Sequence, residues 1–226
     1  MRPCRILLTI GVVALVFCAT TPAQVVFPTN GHAASNFIPF GSGSTTMHQV
    51  FDANLFASRI GGQPVARITD IAFSPGTTAG SPFNLGALDV NLGYTNLTPG
   101  NLGLPAGGGN PSGPLTSYFS DPNYTVIVTS SGPNNFGEMI LSGLFDYDPS
   151  LGNLLVEIIV PNANLTALHV SRAAGNAESS RAYDTTRFGS SSSNTTATRM
   201  QFTFTGVPEP STLLLVGFAG LLLRRR

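Results

Sequence analysis

The chain has 226 residues, contains no lysine, and carries only 10% charged residues, against roughly 25% in ordinary soluble proteins. Six arginines stand against ten acids between residues 24 and 206, a net charge of −4, and this excludes the basic face of a nucleic-acid binder. Cys4 and Cys18 are the only cysteines, and the rest of the chain offers no disulfide, thiol nucleophile or cysteine metal site.

Residues 1–23 read as a signal peptide. Arg2 and Arg5 make a basic start, Ile6 to Ala19 is apolar, and Thr21-Pro22-Ala23 places small residues before a cleavage between Ala23 and Gln24. Such a leader implies the Sec machinery and signal peptidase as partners. A lipoprotein reading would use Cys18, but Phe17 is too bulky for the small position that precedes a lipidated cysteine.

The middle, residues 24–206, carries alternating β-branched and aromatic runs. In chain order the expected strands are Met47 to Phe56, Val65 to Phe73, Ala87 to Tyr94, Tyr124 to Ser130, Glu138 to Tyr147, Leu154 to Val160, Leu165 to Ser171 and Arg199 to Thr205. Shorter ones are expected at Val25 to Phe27 and Leu115 to Phe119, and Asn36, Phe37 and Phe40 close the N-terminal edge. Turn formers separate them, among them Gly61-Gly62-Gln63-Pro64, Asp121-Pro122-Asn123, Gly132-Pro133-Asn134-Asn135 and Asp148-Pro149-Ser150-Leu151-Gly152-Asn153. Pro99 to Pro114, with six glycines and four prolines, reads as a long surface loop. Ser179 to Thr198, with 11 serines and threonines in 20 residues, reads as a mobile loop and a candidate for O-glycosylation. The expected fold is all-β: a single β-sandwich, jelly-roll-like, flanked by the leader and a short C-terminal apolar helix.

Residues 207–226 have three parts in order: Val207-Pro208-Glu209-Pro210, the apolar run Ser211 to Leu223, and Arg224-Arg225-Arg226. As a helix the 13-residue run would extend about 20 Å, short of the roughly 30 Å hydrocarbon core. The arginines supply a cytoplasmic stop and can snorkel, while Pro208 and Pro210 keep the preceding segment extended and accessible. This tail resembles the PEP-CTERM sorting signal, also catalogued as the ice-binding protein C-terminal domain; the latter label gives no support for ice binding. The resemblance covers about 20 residues and implies recognition of Pro208, Glu209 and Pro210 by an exosortase, an integral-membrane processing enzyme whose catalytic cysteine lies in that partner. It also implies transient anchoring in the inner membrane, then delivery to the cell surface or extracellular space of a bacterium that makes exopolysaccharide. The segment Phe145 to Glu157 is similar to a strand-turn-strand element in surface proteins with this tail.

No catalytic constellation emerges. There is no G-x-S-x-G elbow, and the histidines are His32, His48 and His169, the last two on expected strands. Asp146, Asp148 and Glu157 are the acids that a glycosidase pair or a Ca²⁺ site would draw on; the plainer reading is that Asp146 and Asp148 cap turns. Gly107-Gly108-Gly109 has no following helix to make a phosphate cradle, and zinc lacks clustered histidines and cysteines. Tyr94, Tyr118, Tyr124, Tyr147 and Tyr183 are candidates for sugar stacking, though most fall on strands and would pack. The expectation is a non-enzymatic surface or matrix protein without cofactor or metal. A carbohydrate-binding or adhesion module is the alternative, and a secreted hydrolase ranks below both.

Overall fold

The computed structural model describes residues 22–29, 34–60, 63–76, 82–132, 134–161, 168–174, 177–194 and 196–206. The expected leader up to residue 21, the expected sorting motif Pro208, Glu209 and Pro210, the apolar run Ser211 to Leu223 and Arg224, Arg225 and Arg226 lie outside these residues, as does His32. Among the described residues no helix is long and apolar enough to cross a membrane.

The all-β expectation holds. The strands are β1 (Ala23–Phe27), β2 (Ala34–Asn36), β3 (Thr45–Phe51), β4 (Ala66–Phe73), β5 (Pro82–Thr95), β6 (Thr116–Ile127), β7 (Met139–Tyr147), β8 (Asn153–Val160), β9 (Val170–Ala174), β10 (Ser179–Thr185), β11 (Gly189–Asn194), β12 (Thr196–Thr198) and β13 (Met200–Gly206). They pair into a four-stranded sheet in the order β1-β13-β4-β7, a six-stranded sheet β11-β10-β3-β8-β5-β6, and a small sheet β12-β9-β2. Every strand pairing is antiparallel.

Alternation drives the packing. Met200, Phe202 and Phe204 of β13 are buried while Gln201 and Thr203 between them are half-exposed. Those rings meet the facing sheet: Phe202 lies edge-on to Phe51 of β3 at 5.0 Å, and Phe27 of β1 lies 6.2 Å from Phe51. Each such ring contributes about 1.5–3 kcal/mol by leaving water. One core therefore joins the inner faces of the four- and six-stranded sheets.

The strand expected over Met47 to Phe56 ends early. β3 stops at Phe51, and Ala53–Ala57 forms one helical turn, α1. Asp52 caps it by accepting from the Asn54 amide, and the turn carries Phe56 into the core beside Tyr147, 5.0 Å away. The turn expected at Asp121-Pro122-Asn123 is not a turn: the two short strands either side are one strand, β6. Its register against β5 shifts between Asp121 and Tyr124, and β6 is a sheet edge, where a proline and an irregularity are tolerated. The ninth strand begins at Val170, later than the expected Leu165; residues 162–167 lie outside the described set.

The largest correction concerns Ser179 to Thr198. It is not a mobile loop: it contains β10, β11 and β12. Ser179, Ser180, Arg181 and Ala182 are all buried. Ser and Thr side chains here complete hydrogen bonds inside sheets, which composition alone could not distinguish from a solvated tract. The Pro99 to Pro114 segment is a loop apart from one 3-10 turn, Pro105–Gly107, yet it lies against the outer face of the six-stranded sheet. Leu102 is buried there on Val50, Leu155 and Ala182.

Candidate functional site

Among the described residues two polar constellations stand out, one closed and one open. The closed one lies beneath the 99–114 strap. On β3, His48 points away from the core side taken by Met47, and on the neighbouring β8 Glu157 stands directly opposite. His48 Nε2 and Glu157 Oε1 are 2.9 Å apart, with side-chain exposures of 3% and 15%. Asn91 of β5 donates to the other carboxylate oxygen at 2.7 Å. From the strap, Asn110 Oδ1 accepts from the Gly103 amide and Nδ2 donates to the Gly103 carbonyl, which fixes the orientation of its amide. Nδ2 therefore donates its second hydrogen to His48 Nδ1, at 2.8 Å. That leaves the His48 proton on Nε2, where it donates to Glu157. Hydrogen bonding by His48, with Asn91 adding to it, holds the Glu157 carboxyl below its ordinary range. Both imidazole nitrogens are occupied by protein groups, and the strap is pinned further where the Gly100 amide donates to Ser180 Oγ at 2.6 Å.

The acids singled out from sequence do not converge. Asp146 forms a two-pronged pair with Arg67 at 2.7 and 2.8 Å on the four-stranded sheet, and this holds its carboxyl below the usual range. Asp148 caps the Pro149–Leu151 turn by accepting from the Ser150 amide at 2.8 Å, as the turn reading expects. Glu157 is on the other large sheet. The tyrosines do not form an exposed row: Tyr118 and Tyr147 are buried, and Tyr94 stacks on Tyr147 at 5.6 Å. Desolvation pushes the Tyr124 hydroxyl up to about 12. His169 lies against Phe37, with ring centroids 3.8 Å apart.

The open constellation is where the small sheet meets β10. Gln49 ties the two together: its amide donates to the Thr198 carbonyl at 2.8 Å and accepts from the Thr198 amide at 2.9 Å. Beside it Arg181, 1% exposed, is wedged between β10 and the small sheet. Its Nη1 donates to Thr198 Oγ1 at 2.8 Å and toward the Ile38 carbonyl at 3.5 Å. With the Asn36 amide oriented to satisfy its neighbours, Asn36 Oδ1 accepts from Arg181 Nη2 at 2.6 Å. These partners are all neutral. Burial, aided by nearby Arg172, pushes Arg181 down to about 10, so it keeps its charge at neutral pH.

Beside Asn36 and Ile38, two of the groups that Arg181 bonds, opens a cavity of about 230 Å³, lined by Asn36, Phe37, Ile38, Arg172, Tyr183 and Phe188. Arg187 overhangs it, its guanidinium 4.2 Å from the Phe37 ring and 5.1 Å from Phe188. Burial and the Arg187 charge together lower the His169 imidazole. Among the described residues, Arg172, Arg181 and Arg187 have no carboxylate within ion-pairing distance. The Nε atoms of Arg172 and Arg181 are buried without a hydrogen-bond partner there. A buried cation is ordinarily paired, so the positive potential of this corner is unspent by the chain around it.

Sequence reasoning missed this pocket. The one signal for it was that three of the six arginines between residues 24 and 206, namely Arg172, Arg181 and Arg187, fall within 16 consecutive positions. The architecture is thus an all-β domain with one strapped, closed polar network and one open arginine-aromatic pocket. Comparison with protein-family models, curated proteins and solved structures finds no match to this chain.

Proposed function

We propose that this chain is an exported, non-enzymatic cell-surface or extracellular-matrix protein: a single jelly-roll-like β-sandwich carried between a cleavable leader and a PEP-CTERM-type sorting tail. The observation that supports the reading is that the described strands fill residues 23–206, the span between the two expected processing signals. β1 begins at Ala23, the residue before the expected signal-peptidase cut, and β13 ends at Gly206, two residues before Pro208. Ala23 and Phe204 are partners in register, so the first and last described strands bring residues 23 and 206 to the same end of the sheet. The strand orders β1-β13-β4-β7 and β3-β8-β5-β6 are those of two interlocked Greek keys, which supports the jelly roll, with β9 to β12 inserted before the last strand.

In this reading the Sec machinery exports the chain and signal peptidase cuts after Ala23. The run Ser211 to Leu223, stopped by Arg224, Arg225 and Arg226, holds the chain briefly in the inner membrane. An exosortase then acts at Pro208, Glu209 and Pro210 and releases it toward the surface or the exopolysaccharide. Replacing Pro208, Glu209 and Pro210 together by Ala should shift the protein from the extracellular to the membrane fraction. Unchanged release would contradict the reading. A second reading, carbohydrate-binding or adhesion module, is favoured by the arginine-aromatic pocket, which combines flat apolar faces with polar groups as sugar sites do.

A further inference from the structure

We infer that the pocket between the small sheet and the β10–β11 turn binds an acidic sugar residue, its carboxylate drawn to Arg172 and its ring laid against Phe37 and Phe188. This deepens the carbohydrate reading of the same pocket and is independent of the export reading. Three observations lead to it. First, the charge is one-sided: Arg172 lines the cavity, Arg187 overhangs it and Arg181 lies behind its Asn36 wall, while the lining contains no carboxylate. Second, the charge is unspent. Arg181 has only neutral partners, and the Nε groups of Arg172 and Arg181 are buried without a partner among the described residues. An anion entering here regains a Coulomb attraction that the fold leaves open, in a setting shielded from water.

Third, the remaining lining selects the kind of anion. A guanidinium fork matches a planar carboxylate. Phe37 and Phe188 give the lining aromatic surface beside the Arg187 guanidinium, and Phe188 is 48% exposed, so part of its ring is open to a ligand. Asn36 and Tyr183 add polar groups suited to hydroxyls. The cavity, about 230 Å³, falls below the roughly 300–1,000 Å³ of sites for drug-sized ligands, so it takes one ring of a chain rather than a whole oligomer. A uronic acid unit within a polysaccharide meets each requirement.

The test is isothermal titration calorimetry on the full chain in detergent, with a galacturonate trimer, the neutral galactose trimer and inorganic phosphate as probes. The galacturonate trimer should bind at least about tenfold more tightly than either of the others, the ratio expected for one charge-assisted pair, and added salt should weaken it. Arg172→Gln should lose that advantage. Should Arg172→Gln fail to fold, Phe188→Ala and Arg187→Gln, both at the rim, should each weaken galacturonate binding, while Arg67→Gln on the four-stranded sheet should not. Equal binding of acidic and neutral trimers overturns the proposal, as does phosphate binding as tightly as galacturonate, or affinity indifferent to all three pocket variants. Release from the membrane should be the same for Arg172→Gln and wild type, which separates this outcome from the fate of the sorting reading.

Discussion

Asn110 holds three groups at once, the two backbone groups of Gly103 and His48 Nδ1. Replacing it by Ala strips partners from groups that the strap keeps from water, and each buried orphan costs about 1–3 kcal/mol. Urea unfolding of Asn110→Ala should show a lower midpoint; an unchanged midpoint would mean that water replaces the amide without loss. Glu157 makes a pH-dependent contribution. Its carboxyl is lowered in the fold, by His48 first, so the folded chain binds that proton less tightly than the unfolded chain. The stabilisation is complete above the ordinary carboxylate range and is lost as pH falls through the lowered value. The stability gap between wild type and Glu157→Gln should therefore be largest near about pH 7 and shrink toward about pH 3; a gap constant with pH would contradict it. Gly143 is the third such residue. A Cβ there would sit 2.2 Å from the Tyr118 carbonyl oxygen, so the β6–β7 approach depends on glycine. Gly143→Ala should cost about 1–3 kcal/mol, as overpacking does, read as a drop in Tm.

At the level of elements, the strap behaves as part of the fold. Leu102 caps a second apolar cluster with Val50, Leu155 and Ala182, and Leu102→Ala should destabilise by about 2–4 kcal/mol if the strap folds cooperatively with the sheet. A protein of unchanged stability would mean that the strap opens freely. Its glycines and prolines announced a loop, and a loop it is; that it covers a sheet face depended on one leucine and one asparagine meeting residues from three distant strands. Strands with strong alternation, such as β4, β7, β8 and β13, were legible to within a residue or two because each buries one face against the facing sheet. Those that failed had other determinants. β10 is held by Arg181 and serines in a polar seam, with no hydrophobic period to read. Pro122 looked like a turn because its tolerance comes from being on an edge, a fact of sheet order. The closed His48–Glu157 pair and the arginine pocket were illegible because their residues meet only in the folded chain: His48 and Glu157, 109 positions apart, through β3–β8 pairing, and Arg172 and Tyr183 where the small sheet lies against β10.

For the molecule as a whole, the first strand pairs with the last. β1 completes the four-stranded sheet only after β13 is in place, so that sheet cannot close until the chain is available up to residue 206. This long-range closure is slow relative to local pairing. It brings Ala23, at the start of β1, opposite Phe204, near the end of β13. The most direct test of the sorting account is the intact mass of the protein from its native host, in strains with and without the exosortase. The account predicts a wild-type product that begins at Gln24 and ends near Pro208 to Pro210, and a longer, membrane-bound form retaining Arg226 when the exosortase is deleted. The same C-terminus in both strains would contradict it and would make the tail a plain membrane anchor.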